Sequence, residues 1–134
     1  MKLFVIAALP VFITASFAIA GECVDSKGND ISSDSSVYES EIAAKTTCYE
    51  ATQLARACSR GAGGDVGTAG VAYDKCVKEL ADLKPAKSDV RLLERMELRC
   101  TTKYQHEVGS MYRSFEAYCR LTSIEWIVNM ATPN

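Results

Sequence analysis

The six cysteines of this 134-residue chain are the first residues that could carry chemistry. They stand at Cys23, Cys48, Cys58, Cys76, Cys100 and Cys119. No two of them form a Cys-x2-Cys pair and His106 is the single histidine, so the spacing does not fit the usual zinc sites. A catalytic thiol with His106 as its base would leave five cysteines, one of them without a partner. The even number therefore predicts disulfide bonds rather than metal ligands or a nucleophile.

The other polar candidates predict neither a catalytic site nor a cofactor site. His106 stands beside Glu107 near the expected end of a helix, where a surface position is more common than a general base. The glycine-rich segment 61–70 lacks the Lys-Ser/Thr ending of a phosphate-binding loop and follows no strand. It is interpreted as a flexible connection, with a binding tip on an exposed loop as the alternative. We expect no enzymatic activity, no cofactor and no bound metal.

One charge pattern is unusual for a helix surface. Basic residues recur every four positions along one expected helix, at Lys87, Arg91, Arg95, Arg99 and Lys103. Each step of four drifts by about 40° around the helix, so these residues form a slanting line, the basic stripe. Neighbouring like charges at this spacing repel each other. The stripe is either a solvated face, relieved by Glu94 and Glu97, or a docking strip for an acidic protein partner.

Residues 1–20 have the pattern of a secretory signal peptide. Lys2 precedes an uncharged run that ends in Ala18-Ile19-Ala20, a small-x-small exit. A transmembrane anchor is the competing interpretation, but a proline and two hydroxyl residues dilute the run and no basic cluster follows it. We expect cleavage after Ala20 and a periplasmic or secreted product, which would reach the oxidising environment that disulfides need.

The expected mature chain, residues 21–134, is acidic. Loss of Lys2 leaves 14 basic against 17 acidic residues, a net charge of −3. This charge argues against a general electrostatic attraction to nucleic acid or to anionic membranes. No second long apolar stretch follows, so we expect a single domain without stable membrane insertion.

Four helices are expected to position these residues. Residues 21–36 are polar and rich in turn formers, which indicates an extended N-terminal arm with a Ser-Asp cluster that caps the first helix. Helical periodicity then covers 37–60, 69–83, 88–108 and 111–130. The third of these helices has an apolar face formed by Leu93, Met96, Cys100, Tyr104 and Val108. The prediction is an all-α, disulfide-stapled four-helix bundle of two helical hairpins.

Helix geometry narrows the possible disulfide pairings. Cys48 and Cys58 would lie ~15 Å apart on one straight helix. A disulfide needs Cα atoms within about 7 Å, so these two should have other partners. Residues equidistant from the turn of an antiparallel hairpin lie side by side. The predicted pairs are Cys58–Cys76, across residue 67, Cys100–Cys119, across Gly109-Ser110, and by elimination Cys23–Cys48.

Short motifs also carry a resemblance to a known family. They are Cys100, Gly109-Ser110-Met111-Tyr112, Cys119-Arg120-Leu121-Thr122 and, upstream, Cys48-Tyr49-Glu50-Ala51-Thr52-Gln53 leading to Cys58. Over residues 48–127 the chain resembles the small exported bacterial proteins typified by LprI, which are described as lysozyme inhibitors. The resemblance implies a lysozyme as protein partner and offers a Cys48–Cys58 bond as a further pairing. The chain departs from that family at Glu125, where a basic residue is usual, and over 92–99, where the Gln-x-x-Trp and Arg-Asp motifs are missing.

Two functions are compatible with these observations. The first is an exported binding protein that inhibits a lysozyme, because an acidic chain has the right sign to be steered towards a basic enzyme. The second is a structural or envelope-stress interaction module that binds an acidic partner through the basic stripe, residues 87–103.

Overall fold

A computed structural model describes residues 21–133, and the predicted signal peptide lies outside these residues. The described chain contains five α-helices. They are α1 Ser35–Ala44, α2 Cys48–Ala57, α3 Asp65–Leu83, α4 Lys87–Tyr104 and α5 Ser110–Ala131. Three disulfides staple them together, which confirms the all-α, disulfide-stapled bundle. None of the helices between residues 21 and 133 is both long and apolar enough to span a bilayer.

The expected first helix, 37–60, is two helices that meet at Lys45, where the backbone is extended. Thr47 starts α2 with a capping box. Its hydroxyl oxygen accepts the Glu50 N–H at 3.2 Å, and the Glu50 carboxylate accepts the Thr47 N–H at 3.1 Å. The spacing of the apolar residues continues across this cap. A prediction from periodicity alone therefore gives one helix instead of two. The Thr-x-x-Glu motif itself predicts the break.

The connection between α2 and α3 is shorter than the glycine content indicates. Helix α3 begins at Asp65 rather than near residue 69, so that Gly67 and Gly70 lie inside it. Gly61 has a φ of +70°, which favours glycine, and it turns the chain just after α2. The turn of this hairpin is therefore centred near residue 62 and not near residue 67.

Helix α3 lies at the centre of the bundle and packs against α1, α2 and α5. The most deeply buried core side chains are Ile42, Ala51, Ala55, Ala72, Cys76, Leu121, Ile124 and Ile127. Helix α4 instead packs mainly on α5, and Cys100 is its one buried residue. The bundle thus has a compact core of four helices and an outlying fifth, α4.

The disulfides are Cys23–Cys58, Cys48–Cys76 and Cys100–Cys119. The third pair confirms the prediction across Gly109-Ser110. The predicted Cys58–Cys76 and Cys23–Cys48 bonds are wrong, and so is the Cys48–Cys58 bond that the family resemblance offers. Cys48 and Cys76 are equidistant from residue 62, so the hairpin argument holds once the turn is centred correctly. Cys58, at the end of α2, then forms its disulfide with Cys23 of the arm.

The N-terminal arm is ordered by short-range contacts. A single antiparallel bridge joins Val24 to Asp30, and Cys23 and Ile31 are buried on either side of it. Asp34 caps α1 by accepting the Ser36 N–H at 2.9 Å, in agreement with the predicted Ser-Asp cap.

Candidate functional site

The outward face of α4 contains the whole basic stripe, and all five of its side chains are exposed. Within residues 21–133 none of them forms an ion pair. Leu98, which is 66% exposed, lies among them on the same face. Lys103 stacks its ammonium group 5.1 Å from the ring centre of its neighbour Tyr104. The face therefore combines unpaired positive charge with an exposed apolar side chain, and three of its five cations are arginine, which is enriched at protein interfaces.

Glu97 does not relieve the stripe, contrary to one interpretation of the sequence. It faces the bundle, where its carboxylate accepts the Tyr73 hydroxyl and lies 3.9 Å from the Arg120 guanidinium. Burial, together with the Glu97 carboxylate, raises the pKa of Tyr73 to about 12, so its hydroxyl stays protonated and donates. Glu97 thus fastens α4 to α3 and α5. Glu94 is exposed on the outer side.

Leu92, Leu93 and Met96 also pack against the core, and the remaining attachments of α4 lie near its C-terminal end. The Cys100–Cys119 disulfide joins it to α5, and the Thr101 hydroxyl donates to Glu116 at 2.9 Å. Tyr104 packs against Phe115 with ring centres 6.2 Å apart. The predicted apolar face is correct up to Tyr104, where α4 ends. Val108 lies beyond that end and is 90% exposed, so its placement on the inner face is wrong.

Three backbone amides at the start of the glycine-rich connection already bind a carboxylate of the protein itself. Asp65, which is 2% exposed, accepts the N–H groups of Arg60, Gly61 and Ala62 at 2.9, 2.7 and 3.2 Å. The hydroxyls of Ser59 and Ser114 also donate to this carboxylate, at 2.8 and 2.9 Å. Burial raises the pKa of Asp65, but the hydrogen bonds outweigh it and lower the pKa below its ordinary value. Asp65 therefore fixes the turn from inside, and a phosphate-binding role is not supported.

Glu125, the position that departs from the resembled family, is buried beneath α2. Its carboxylate accepts the Thr52 hydroxyl at 2.8 Å and pairs with the Arg56 guanidinium at 2.6 Å. The side chain is 12% exposed, so this ion pair contributes to the core of the fold. A basic residue at position 125, as is usual in the resembled family, would be repelled by Arg56. The glutamate found here instead forms an ion pair with Arg56.

His106 is exposed in the turn after α4, as a surface interpretation predicts. Among residues 21–133 no group of three or more histidine, cysteine or acidic side chains is arranged to hold a metal ion. Sequence reasoning missed Leu98, because the apolar periodicity of α4 does not include it. It also missed a cleft between the arm and α2, because nothing local in the sequence shows where the arm lies.

Comparison of the chain with protein-family models, with curated proteins and with solved structures gives no match.

Proposed function

We propose that this chain is an exported binding protein that docks an acidic protein partner on the outward face of α4. The observation that carries the proposal is the basic stripe, whose five exposed cations have no ion-pair partner in residues 21–133 and share their helix face with the exposed Leu98. Like charges on one helix face destabilise it slightly, and an acidic partner would relieve that repulsion. Three intramolecular disulfides are consistent with a secreted or periplasmic location.

The test is a pull-down from an envelope extract with the oxidised protein and a variant in which Arg91, Arg95 and Arg99 are changed to Glu. A matched control reverses three other exposed cations, Lys27, Lys78 and Arg113, that form no ion pair in the described residues. We expect the wild type and the control to capture the same acidic protein and the stripe variant to lose it. Equal capture by all three proteins would show that the stripe is only a solvated face.

A second candidate function is lysozyme inhibition, which the distribution of charge favours. Residues 21–83 contain 11 acidic and 6 basic residues, whereas residues 84–134 contain 6 acidic and 8 basic. Residues 21–83 are thus strongly negative and complementary to a basic enzyme. The family resemblance points to the same partner.

Residual lysozyme activity measured with purified oxidised protein tests this second candidate. Inhibition should persist in the stripe variant, because the acidic part of the chain would make the contact. Full lysozyme activity at a large molar excess of the protein refutes it and leaves the α4 proposal intact.

A further inference from the structure

We propose that the cleft between the N-terminal arm and α2 binds a lysine or arginine side chain presented by a basic protein partner. This inference deepens the lysozyme proposal and rests on it for the identity of the partner. The cleft, which we name the arm cleft, has a volume of about 330 Å³. Residues of the arm line one side, and Tyr49 and Gln53 of α2 line the other.

The floor of the arm cleft is apolar. It consists of Val24 from the arm with Leu54 and Ala57 from α2. Leu54 is 8% exposed and belongs to the main core, so the floor is continuous with the rigid part of the fold. Lysine and arginine lay their aliphatic stems along such surfaces while the charged head remains near water.

The rim of the arm cleft is negative. Glu22, Asp25 and Glu50 line it, and Lys45 is the one basic side chain among its lining residues. Gly21 also lies at the cleft, so cleavage after Ala20 would add an α-ammonium there. The three carboxylates outnumber these two cations, and the rim therefore favours a cationic occupant over an anionic one.

Backbone N–H groups orient two of these carboxylates. These donors are uncharged, so they do not neutralise the negative charge of the carboxylates. Asp25 accepts the N–H groups of Lys27 and Asn29 at 2.8 and 2.9 Å. Glu50 accepts those of Thr46 and Thr47 at 3.2 and 3.1 Å. Hydrogen bonds with Asn29 and Thr47, respectively, lower the pKa of each carboxyl, so both are ionised at neutral pH.

Tyr49 completes the site on the α2 side. Its side chain lines the cleft although the residue is 57% exposed. An aromatic ring at the mouth of a negative cleft attracts a cation through its π face, and arginine is favoured because its planar head stacks on the ring.

The arm cleft is also held open before any partner arrives. The Cys23–Cys58 disulfide fastens the arm to the end of α2 with the two Cα atoms 4.8 Å apart. The Val24–Asp30 bridge fixes the arm beyond it. A pre-formed cleft avoids the entropy loss of ordering its walls on binding.

Binding of a hexa-arginine peptide to the oxidised protein, followed by NMR chemical shifts, tests the inference. The wild type should show shifts centred on Tyr49, Leu54 and Val24. Gln53→Arg adds a positive charge at the cleft and removes no hydrogen bond of the described structure, and it should weaken binding about fivefold. Tyr49→Ser should weaken it about threefold, whereas Tyr49→Phe keeps the ring and should not.

Gln105→Arg is the matched control, because it adds the same charge at an exposed residue that does not line the arm cleft. An effect as large as that of Gln53→Arg, or shifts centred outside the arm cleft, overturns the proposal. If the peptide binds in the cleft but the protein does not inhibit lysozyme, the cleft remains a binding site for cationic side chains and lysozyme is refuted as the partner. Lysozyme inhibition that is unchanged by Gln53→Arg would support the function and refute the cleft as its site.

Discussion

Asp65 shows how one buried carboxylate can replace a longer loop. It stands at the first position of α3 and gathers three backbone N–H groups and two hydroxyls from the preceding turn and from α5. Negative charge is favourable at a helix N-terminus, and the donors compensate for its removal from water. The turn between α2 and α3 and the start of α5 thus depend on a single side chain.

Asp65→Asn should lower the free energy of unfolding at pH 7 by about 3 kcal/mol, because an amide NH2 would face N–H donors that now meet a carboxylate. A pKa below the ordinary value means that the ionised form stabilises the fold above the unfolded pKa. That contribution disappears as the pH falls through the folded pKa. The difference between the two proteins should therefore shrink as the pH falls below the ordinary aspartate pKa of about 4.

Denaturant titration at each pH measures this difference. Asp74→Asn is the control, because Asp74 is an exposed acid of the same helix. A difference between Asp65→Asn and the wild type that does not change with pH would contradict this account of Asp65.

Arg56 and Glu125 give a second prediction. Arg56→Leu leaves the Glu125 carboxylate buried with Thr52 as its remaining partner, and should lower the free energy of unfolding by about 3 kcal/mol. The double variant Arg56→Leu, Glu125→Leu removes the stranded charge and should regain most of that loss. Thermal denaturation of the three proteins decides the matter. A double variant less stable than Arg56→Leu alone would show that the pair contributes more than charge compensation.

The chemistry of individual residues was partly predictable from the sequence. The disulfide-bonded state of the cysteines follows from their even number and from the lack of the spacing that zinc sites use. The exposed stripe follows from the four-residue repeat of basic residues. Asp65 was missed because its partners are backbone amides, which no side-chain pattern reveals. Glu125 was noticed only as a departure, since its partner Arg56 is far away in the sequence.

At the scale of the helices, α4 differs from the others because its packing is so limited. One buried residue, Cys100, a few polar contacts and the partly buried side chains of Leu92, Leu93 and Met96 hold it to the rest of the bundle. Helices α2 and α3, by contrast, share the Cys48–Cys76 bond, both of whose cysteines are at most 1% exposed. The two disulfides should therefore contribute to stability in different ways.

Replacing Cys48 and Cys76 with alanine should destabilise the whole fold by about 2–5 kcal/mol. Replacing Cys100 and Cys119 with serine should instead release α4 locally, with little loss of protection in α2 and α3. Hydrogen exchange read by mass spectrometry separates these outcomes. Uniform loss of protection in the Cys100/Cys119 variant would mean that α4 is integral to the core.

Helix boundaries show why the expected pairing failed while the expected fold class did not. The 3.6-residue periodicity is a property of whole segments and survives errors of a few residues. The partner of a cysteine depends on where each turn is centred, and a shift from residue 67 to residue 62 changes two of the three bonds. Gly67 causes the error, because it is tolerated in the first turn of α3 although glycine disfavours helix.

At the scale of the whole molecule, the net charge changes sign between residues 83 and 84, and no disulfide connects the two parts of the chain on either side of that point. The acidic residues 21–83 contain two of the disulfides, and the more basic residues 84–134 contain the third. Such a molecule has parts of opposite net charge, and added salt should weaken the binding proposed at each of them.

The two disulfides of the acidic part are interleaved, because Cys48 lies inside the loop that Cys23–Cys58 closes. In an exported chain the cysteines emerge in numerical order, and an oxidase acting on neighbours would first join Cys23 to Cys48 and Cys58 to Cys76. Both bonds are non-native, so this route would require thiol–disulfide exchange, which an isomerase catalyses. Secretion in a host without a periplasmic isomerase should accumulate a species in which peptide mapping finds Cys23 linked to Cys48. Full yield of native protein in that host would show that folding of α2 against α3 precedes oxidation.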